Sequence, residues 1–413
     1  KDQSMWNYPW KYGESFAIAF GLLFIGMALE IVVPGTGLRA PQYPANLLAG
    51  VSFIAFIVVF YFSFRTTHFV KWFASVPAAI SAISLLAILT LLMGFLPQND
   101  QAGSLLTRLG FTHVTRSWFF ILIVIYFQIS LGCIILRRLS RFKAGDTGFI
   151  LNHLGLWLIV FAVAFGQGDL KRWTIYAKEG EKVWQAYDNH QRPHQLNFAI
   201  QLHDFDIEQY PPRIAVVQAG SYQYAKKYKD DMFMADSGKQ SLMGNWKIYV
   251  DTLHMMAVAK GERYIAKKDT GAAPAAYVRA ANKNNSNVKK GWISSGSYLM
   301  QPSALRLNSE HLLVLTQPEA KKYSSDMTVY TRGGRKERVR LEVNNPVRVN
   351  GWKIYQQSYN QQKGRWSQYS VLEIVKDPWL PVVYTGIFMV MAGALTLFWK
   401  GRKRSFVENA NQE

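Results

Sequence analysis

The sequence predicts an α-helical membrane protein of about six transmembrane helices, with a large β-rich, sandwich-like domain between the fifth and the sixth. Three observations predict it. Hydrophobic residues make up 49% of the 413, yet mean hydropathy is only −0.02, because the apolar residues are gathered into the first 167 positions and one late stretch. Those runs are each about 20 residues long, the length that crosses a hydrocarbon core roughly 30 Å thick. The region between them is polar, alternates with period two and is punctuated by turn residues.

The spans are expected at about 14–34 ("ESFAIAFGLLFIGMALEIVVP"), 46–64, 73–96, 117–136, 148–167 ("GFILNHLGLWLIVFAVAFGQ") and 379–399 ("WLPVVYTGIFMVMAGALTLFW"). Each is read as a helix, because open-edged sheet is not tolerated in lipid. The first run has no small-residue cleavage pattern and reads as a retained span. Positive charge gathers in "RTTHFVK" (65–71), "RRLSRFK" (137–143) and "KGRKR" (400–404), while 35–45 and 97–116 are poor in it. The positive-inside rule then predicts both termini and these basic loops in the cytoplasm. The chain divides into an N-terminal transmembrane region (1–167), an extracytoplasmic domain (168–378), a final helix (379–399) and a cytoplasmic tail (400–413). Trp72, Trp118, Trp379 and Trp399 fall at span ends, as an aromatic belt predicts.

Within 168–378, strands are predicted at "HQLNFAIQLHDFDIEQY" (194–210), "NWKIYVDTL" (245–253), "HLLVLTQ" (311–317), "VRLEVNNPVRVNGWKIYQQSY" (339–359) and "SQYSVLEIV" (367–375). "GNWKIYVDTLHM" and "NGWKIYQQSYNQ" echo each other, which predicts two similar hairpin-like units packed as a sandwich. The stretch 265–296, rich in Ala, Asn, Lys, Ser and Gly, reads as a long insertion or mobile loop.

Cys133 is the one cysteine, and it lies inside an apolar run. That excludes a disulfide framework, a CxxC redox pair and a CxxCH haem-attachment site. No GxSxG, phosphate-cradling GxxxxGK[ST] or HExxH is present. No catalytic side chain is therefore assigned. Carboxylates in or near the spans are few, Glu30 and Asp146 lying near span ends, which argues against a proton-driven transporter. The net charge of +20 suits either a solvated basic face or contact with anionic headgroups, an acidic partner or a propionate-bearing ligand. No nucleic-acid partner is expected.

Eight histidines are present. His68 sits at the mouth of the third span within the collar of Arg65 and Lys71. From position alone it is either an interface residue that orients its helix or an axial ligand. His153 lies near the start of the fifth span at similar depth. It is either bonded to a neighbouring helix or a ligand. No Cys, Asp or Glu lies near either in sequence to complete a zinc set, which favours haem iron over zinc. His113 falls in a short loop, His190 and His194 in a polar one. His203, His254 and His311 read as structural strand residues.

Three segments resemble the ResB/CcsB family of cytochrome c maturation. "LHDFDIEQYPP" (202–212) resembles its strand ending in a Tyr-Pro turn, and "EVNNPVRVNGWKIYQQSY" (342–359) its N-x-P-x-x-x-x-G-x-x-x-Y-Q segment. "VKDPWLPVVYTGIFMVMAG" (375–393) resembles its entry to the last helix, with Trp379 where glycine is usual. Asn345-Pro346 suits a turn, Gly351 a positive φ and Pro378 a strand-to-helix corner. The resemblance implies the CcsB half of the System II synthase, in a bacterial inner membrane with the β domain in the periplasm. It also implies haem b held by His68 and a histidine of a CcsA-type partner. The partner's tryptophan-rich haem-handling segment is not found in this chain. Arg65 and Lys71 could face the propionates or snorkel to headgroups. Apocytochrome c, a thioredoxin-like reductant and membrane lipid are the other implied partners. Two alternatives stay open: a b-type electron-transfer subunit with His68 and His153 on one haem, and a non-catalytic assembly scaffold.

Overall fold

The computed structural model describes residues 6, 8–33, 37–99, 105–284 and 287–410, with side chains as far as 399. The "KGRKR" side chains and 411–413 of the expected tail lie outside the described residues. Two compact units are present, one of 1–170 with 377–413 and one of 171–376.

The first unit contains helices α1 (Tyr12–Val32), α2 (Ala45–Phe64), α3 (His68–Phe73), α4 (Val76–Phe95), α5 (Leu105–Arg108), α6 (Trp118–Leu139), α7 (Thr147–Gly166) and α8 (Leu380–Ala410). Among the described residues, six helices are long and apolar enough to cross a membrane, so the chain is a multi-pass membrane protein. Their lipid-facing sides stay apolar, as Phe24, Val59, Leu91 and Phe95 illustrate. The sixth span of the chain, α8, packs along α7 through small residues. A methyl group built on Gly155 would stand 2.6 Å from the Gly386 carbonyl oxygen, and one on Gly386 would stand 2.7 Å from that of Gly155. α6 is the central helix: eleven of its residues are buried, Phe119, Ile123, Tyr126 and Cys133 among them.

The span expected over about 73–96 is the single helix α4, but it starts three residues late, after a corner that follows α3, because Ala74 and Ser75 leave the helical path and Pro77 suits only the first turn of a new helix. Trp72 is also not an interfacial residue. It is 2% exposed, and its Nε1 donates to Ser15 Oγ at 2.9 Å. A buried indole N–H needs such a partner.

The second unit is antiparallel β throughout its sheets. Its eight-stranded sheet runs in the order Lys336–Glu342, Ala320–Thr331, Pro193–Gln209, Lys182–Tyr187, Lys171–Lys178, Tyr369–Lys376, Trp352–Tyr359 and Val347–Val349. Its first and last strands in sequence are neighbours, with Thr174 opposite Glu373. The sheet curls on a core of Ile175, Phe198, Ile200, Leu202, Leu341, Ile354 and Leu372. The strands at its two ends are consecutive in sequence, and a bridge between Glu342 and Asn345 spans the turn that joins them.

Inserted into that sheet is a sandwich. A five-stranded sheet containing Trp246–Lys260 and Ala273–Asn282 faces a four-stranded one containing Arg213–Gln218 and His311–Leu315, over Val216, Trp246, Ile248, Val278 and Leu313. The expected loop over 265–296 is therefore corrected. Ala273–Asn282 and Val288–Ser294 form an antiparallel hairpin with Tyr277 opposite Trp292. Ala276 and Ala280 are fully buried in the sandwich core beside Val278, since the two sheets meet closely there. The echoed "NWKIYV" and "GWKIYQ" stretches are both second strands of hairpins, entered through Gly244 (φ +57°) and Gly351 (φ +82°). They lie in different sheets with separate cores around Trp246 and Trp352, rather than packing on each other.

Candidate functional site

The corner between α2 and α3 is built by one threonine. The Thr67 hydroxyl donates to the Phe64 carbonyl at 2.7 Å and accepts from the Val70 N–H at 3.4 Å. It thereby caps α3 and makes His68 its first residue. Helical spacing then turns Val70 and Trp72 inward, while Arg65, His68 and Lys71 stay exposed. Trp72 locks α3 by stacking on Tyr126 at 5.7 Å and meeting Trp10 edge-on at 5.4 Å. The His68 ring lies flat on Tyr8, with centroids 4.1 Å apart and planes 6° apart. Stacking covers a face of the imidazole and leaves its edge, which carries both nitrogens, open. Among the described residues neither nitrogen makes a hydrogen bond, and neither Arg65 nor Lys71 pairs with a carboxylate.

His153 is held differently. Its Nδ1 stands 2.8 Å from the Phe149 carbonyl oxygen, and its ring stacks on Phe149 at 3.8 Å. A carbonyl only accepts, so Nδ1 donates to it, and of the two neutral tautomers this bond selects the one with its lone pair on Nε2. The other side of the stack is basic: Arg138 approaches the Phe149 ring at 5.3 Å and pairs with Asp146 at 2.7 Å. No hydrogen bond or ring contact joins His68 to His153 among the described residues. Arg65, His68 and Lys71 are thus one exposed corner, and His153 stands on a separate helix.

A pair that the sequence reading passed over lies within the helical unit. Glu30, near the end of α1, accepts from His113 Nε2 at 2.8 Å and from the Trp118 N–H at 3.0 Å. Both side chains are almost wholly buried. Gly110, at φ +80°, packs over the carboxylate, and a methyl group there would stand 3.0 Å from Glu30 Cγ. Glu30 and His113 are 83 positions apart. Their shared signal was two ionisable residues at the same predicted end of the spans.

The polar loop with His190 and His194 is organised by Asp188, which accepts from the His190 and Arg192 N–H groups at 2.9 Å and lies 3.2 Å from His194 Nε2. The Arg192 N–H is the main cause that holds the Asp188 carboxyl down at about 2. A carboxyl depressed in the folded state contributes stability above its unfolded value, about 3.9, and loses it as pH falls through about 2. Protection of the amides at 190 and 192, measured as their exchange rate relative to an unstructured peptide at the same pH, should therefore fall between about pH 4 and pH 2. An Asp188→Ala variant should show fast exchange already at neutral pH. Equal protection in the variant and the wild type would contradict this.

A ResB-like family model matches residues 276–368, all within the β unit. That span holds "EVNNPVRVNGWKIYQQSY", while the segments around 202–212 and 375–393 lie outside it. ResB-like proteins are associated with cytochrome c biogenesis. No curated protein matches the chain.

Proposed function

We propose that this chain is the haem-handling, CcsB-like subunit of a System II cytochrome c synthase. It binds haem b in the membrane and helps to export and present it to apocytochrome c. The observation that carries the reading is the His68 corner: an exposed imidazole with its plane set by Tyr8, beside the cations Arg65 and Lys71, with no hydrogen bond to its nitrogens and no carboxylate on either cation among the described residues. Such a corner suits iron ligation at the ring edge and propionates at Arg65 and Lys71. His153, with Nε2 free by virtue of its Nδ1 bond, suits an alternative or supporting ligand. Haem, when bound, supplies the vinyl groups that the CxxCH thiols of apocytochrome attack.

In this reading His68 and the basic loops face the cytoplasm and the β unit is periplasmic. The β unit docks a CcsA-type partner, apocytochrome c or a thioredoxin-like reductant. Ligation needs the partner, since no catalytic side chain is assigned here. The electron-transfer alternative asks His68 and His153 to meet at one iron, and their separate packing on Tyr8 and Phe149 does not favour it.

The test is cytochrome c maturation in cells that depend on this chain and a CcsA-type partner. His68→Ala should lower covalent haem in the cytochrome by about tenfold or more, the scale of losing a metal's supporting group. Unchanged maturation at normal protein levels would overturn the assignment of His68.

A further inference from the structure

The eight-stranded sheet of the β unit does not close on itself. Its end strands, Lys336–Glu342 and Val347–Val349, share the bridge at Glu342 and Asn345 and otherwise leave a seam, with no ladder across it among the described residues. Where the two part, a cleft of about 140 Å³ opens, lined by Val329, Val339, Val347 and Val349. The hairpin of each lip sets which backbone groups face the seam. The Thr331 N–H donates to the Arg335 carbonyl at 3.0 Å, so that pair is hydrogen-bonded. Bonded pairs alternate along an antiparallel ladder. Glu337, Val339 and Leu341 therefore bond to Val329, Met327 and Ser325, their partners in register. The N–H and C=O groups of Lys336, Arg338 and Arg340 are left pointing into the seam. On the other lip, Asn350 (φ +47°) and Gly351 (φ +82°) make a two-residue turn that closes on the bonded pair Val349–Trp352. Arg348, one step further, likewise turns its backbone groups to the seam. An unpaired strand edge is a template for another strand.

The side chains along the lips restrict what that strand is. On the inner face Val339, Val347 and Val349 pack against the core that holds Leu341 and Ile354. The outer face is basic: Lys336 and Arg338 stand on one lip, Arg348 and Lys353 on the other. Arg338 is paired with Asp326, whereas Lys336, Arg348 and Lys353 have no carboxylate partner among the described residues. Arg348 and Lys353 lie directly opposite each other across their hairpin, where like charges repel.

We propose that this seam is a docking edge for an extended segment of a partner protein in which aliphatic and acidic residues alternate. The segment adds as a strand to Lys336–Glu342, the longer lip, through its free backbone groups. Its aliphatic side chains fill the cleft over the valines, and its acidic ones meet Lys336, Arg348 and Lys353. A second copy of this chain is a poor occupant, because it would bring the same cations together. The proposal specifies a docking edge on the β unit and does not depend on haem binding at His68.

The test is fluorescence anisotropy of a labelled peptide of alternating glutamate and valine, titrated with the full chain in mild detergent at low salt. The wild type should bind it about tenfold or more tightly than a peptide with lysine in place of glutamate. Arg348→Glu, in a protein that stays monodisperse, should weaken the glutamate peptide by about tenfold and strengthen the lysine one. A strand bonds to one edge through every second residue. N-methylation of one alternate set of peptide amides should therefore abolish binding to the wild type, and methylation of the other set should spare it. Absence of binding to the wild type would overturn the proposal, as would equal affinity for the two peptides. Methylated sets that behave alike would overturn it as well, since charge attraction alone does not read a backbone.

Discussion

Replacing Gly155 by leucine should separate α8 from α7 and sharply reduce the folded protein. The two helices touch backbone to backbone. The place of a Gly155 methyl group is 2.6 Å from the Gly386 carbonyl oxygen and 2.8 Å from the Val390 nitrogen. Gly393 repeats the pattern further along, 2.6 Å from the Asn152 nitrogen. In lipid no hydrophobic force draws helices together, so close approach and dispersion must hold them. Neither neighbouring atom is the end of a flexible side chain, so the helices themselves have to part. We expect a loss of about 3 kcal/mol, the upper end of overpacking costs. Gly21→Leu is the control, because nothing stands within 4 Å of a methyl group there. Thermal unfolding in detergent, followed by size exclusion, should place Gly155→Leu well below both the wild type and Gly21→Leu. Equal stability of the two variants would contradict the packing described.

Glu30→Ala should be comparably damaging, by about 3 kcal/mol. It strips the Trp118 N–H and His113 Nε2 of their acceptor at a site closed by Gly110. Glu30→Gln keeps an acceptor oxygen and should cost less. The decisive measurement is a double-mutant cycle with His113→Ala. A coupling of about 1 kcal/mol or more is expected of partners in direct contact. Strict additivity would mean that the pair does not act as one.

The spans were legible in the sequence because lipid demands long, uniformly apolar helices, and most strands because Phe198, Ile200 and Leu202 alternate with polar neighbours. What escaped did so for physical reasons. Averaging over a span cannot register a two-residue break, so the corner at Ala74 and Ser75 and the short α3 before it were missed. Ala276 and Ala280 carry little β preference, yet small side chains are what the close-packed sandwich needs at that strand. Trp72 looked interfacial because it ends an apolar run, but Ser15 and Tyr126 approach it from other helices. At the candidate site, the exposed collar of Arg65, His68 and Lys71 was legible, being local in sequence. The stacking of Tyr8 and the Nδ1 bond of His153 were not, since both depend on where rings come to rest. The Glu30–His113 pair joins two distant segments, and no local pattern announces it.

Haem binding in this chain turns on His68, and the most direct measurement is an absorption spectrum of the full chain purified in mild detergent with a CcsA-type partner. The wild-type complex should show a Soret band that needs the partner and is lost in His68→Ala while the complex stays intact. A band of full intensity in the His68→Ala complex would contradict the assignment of His68 as the haem ligand.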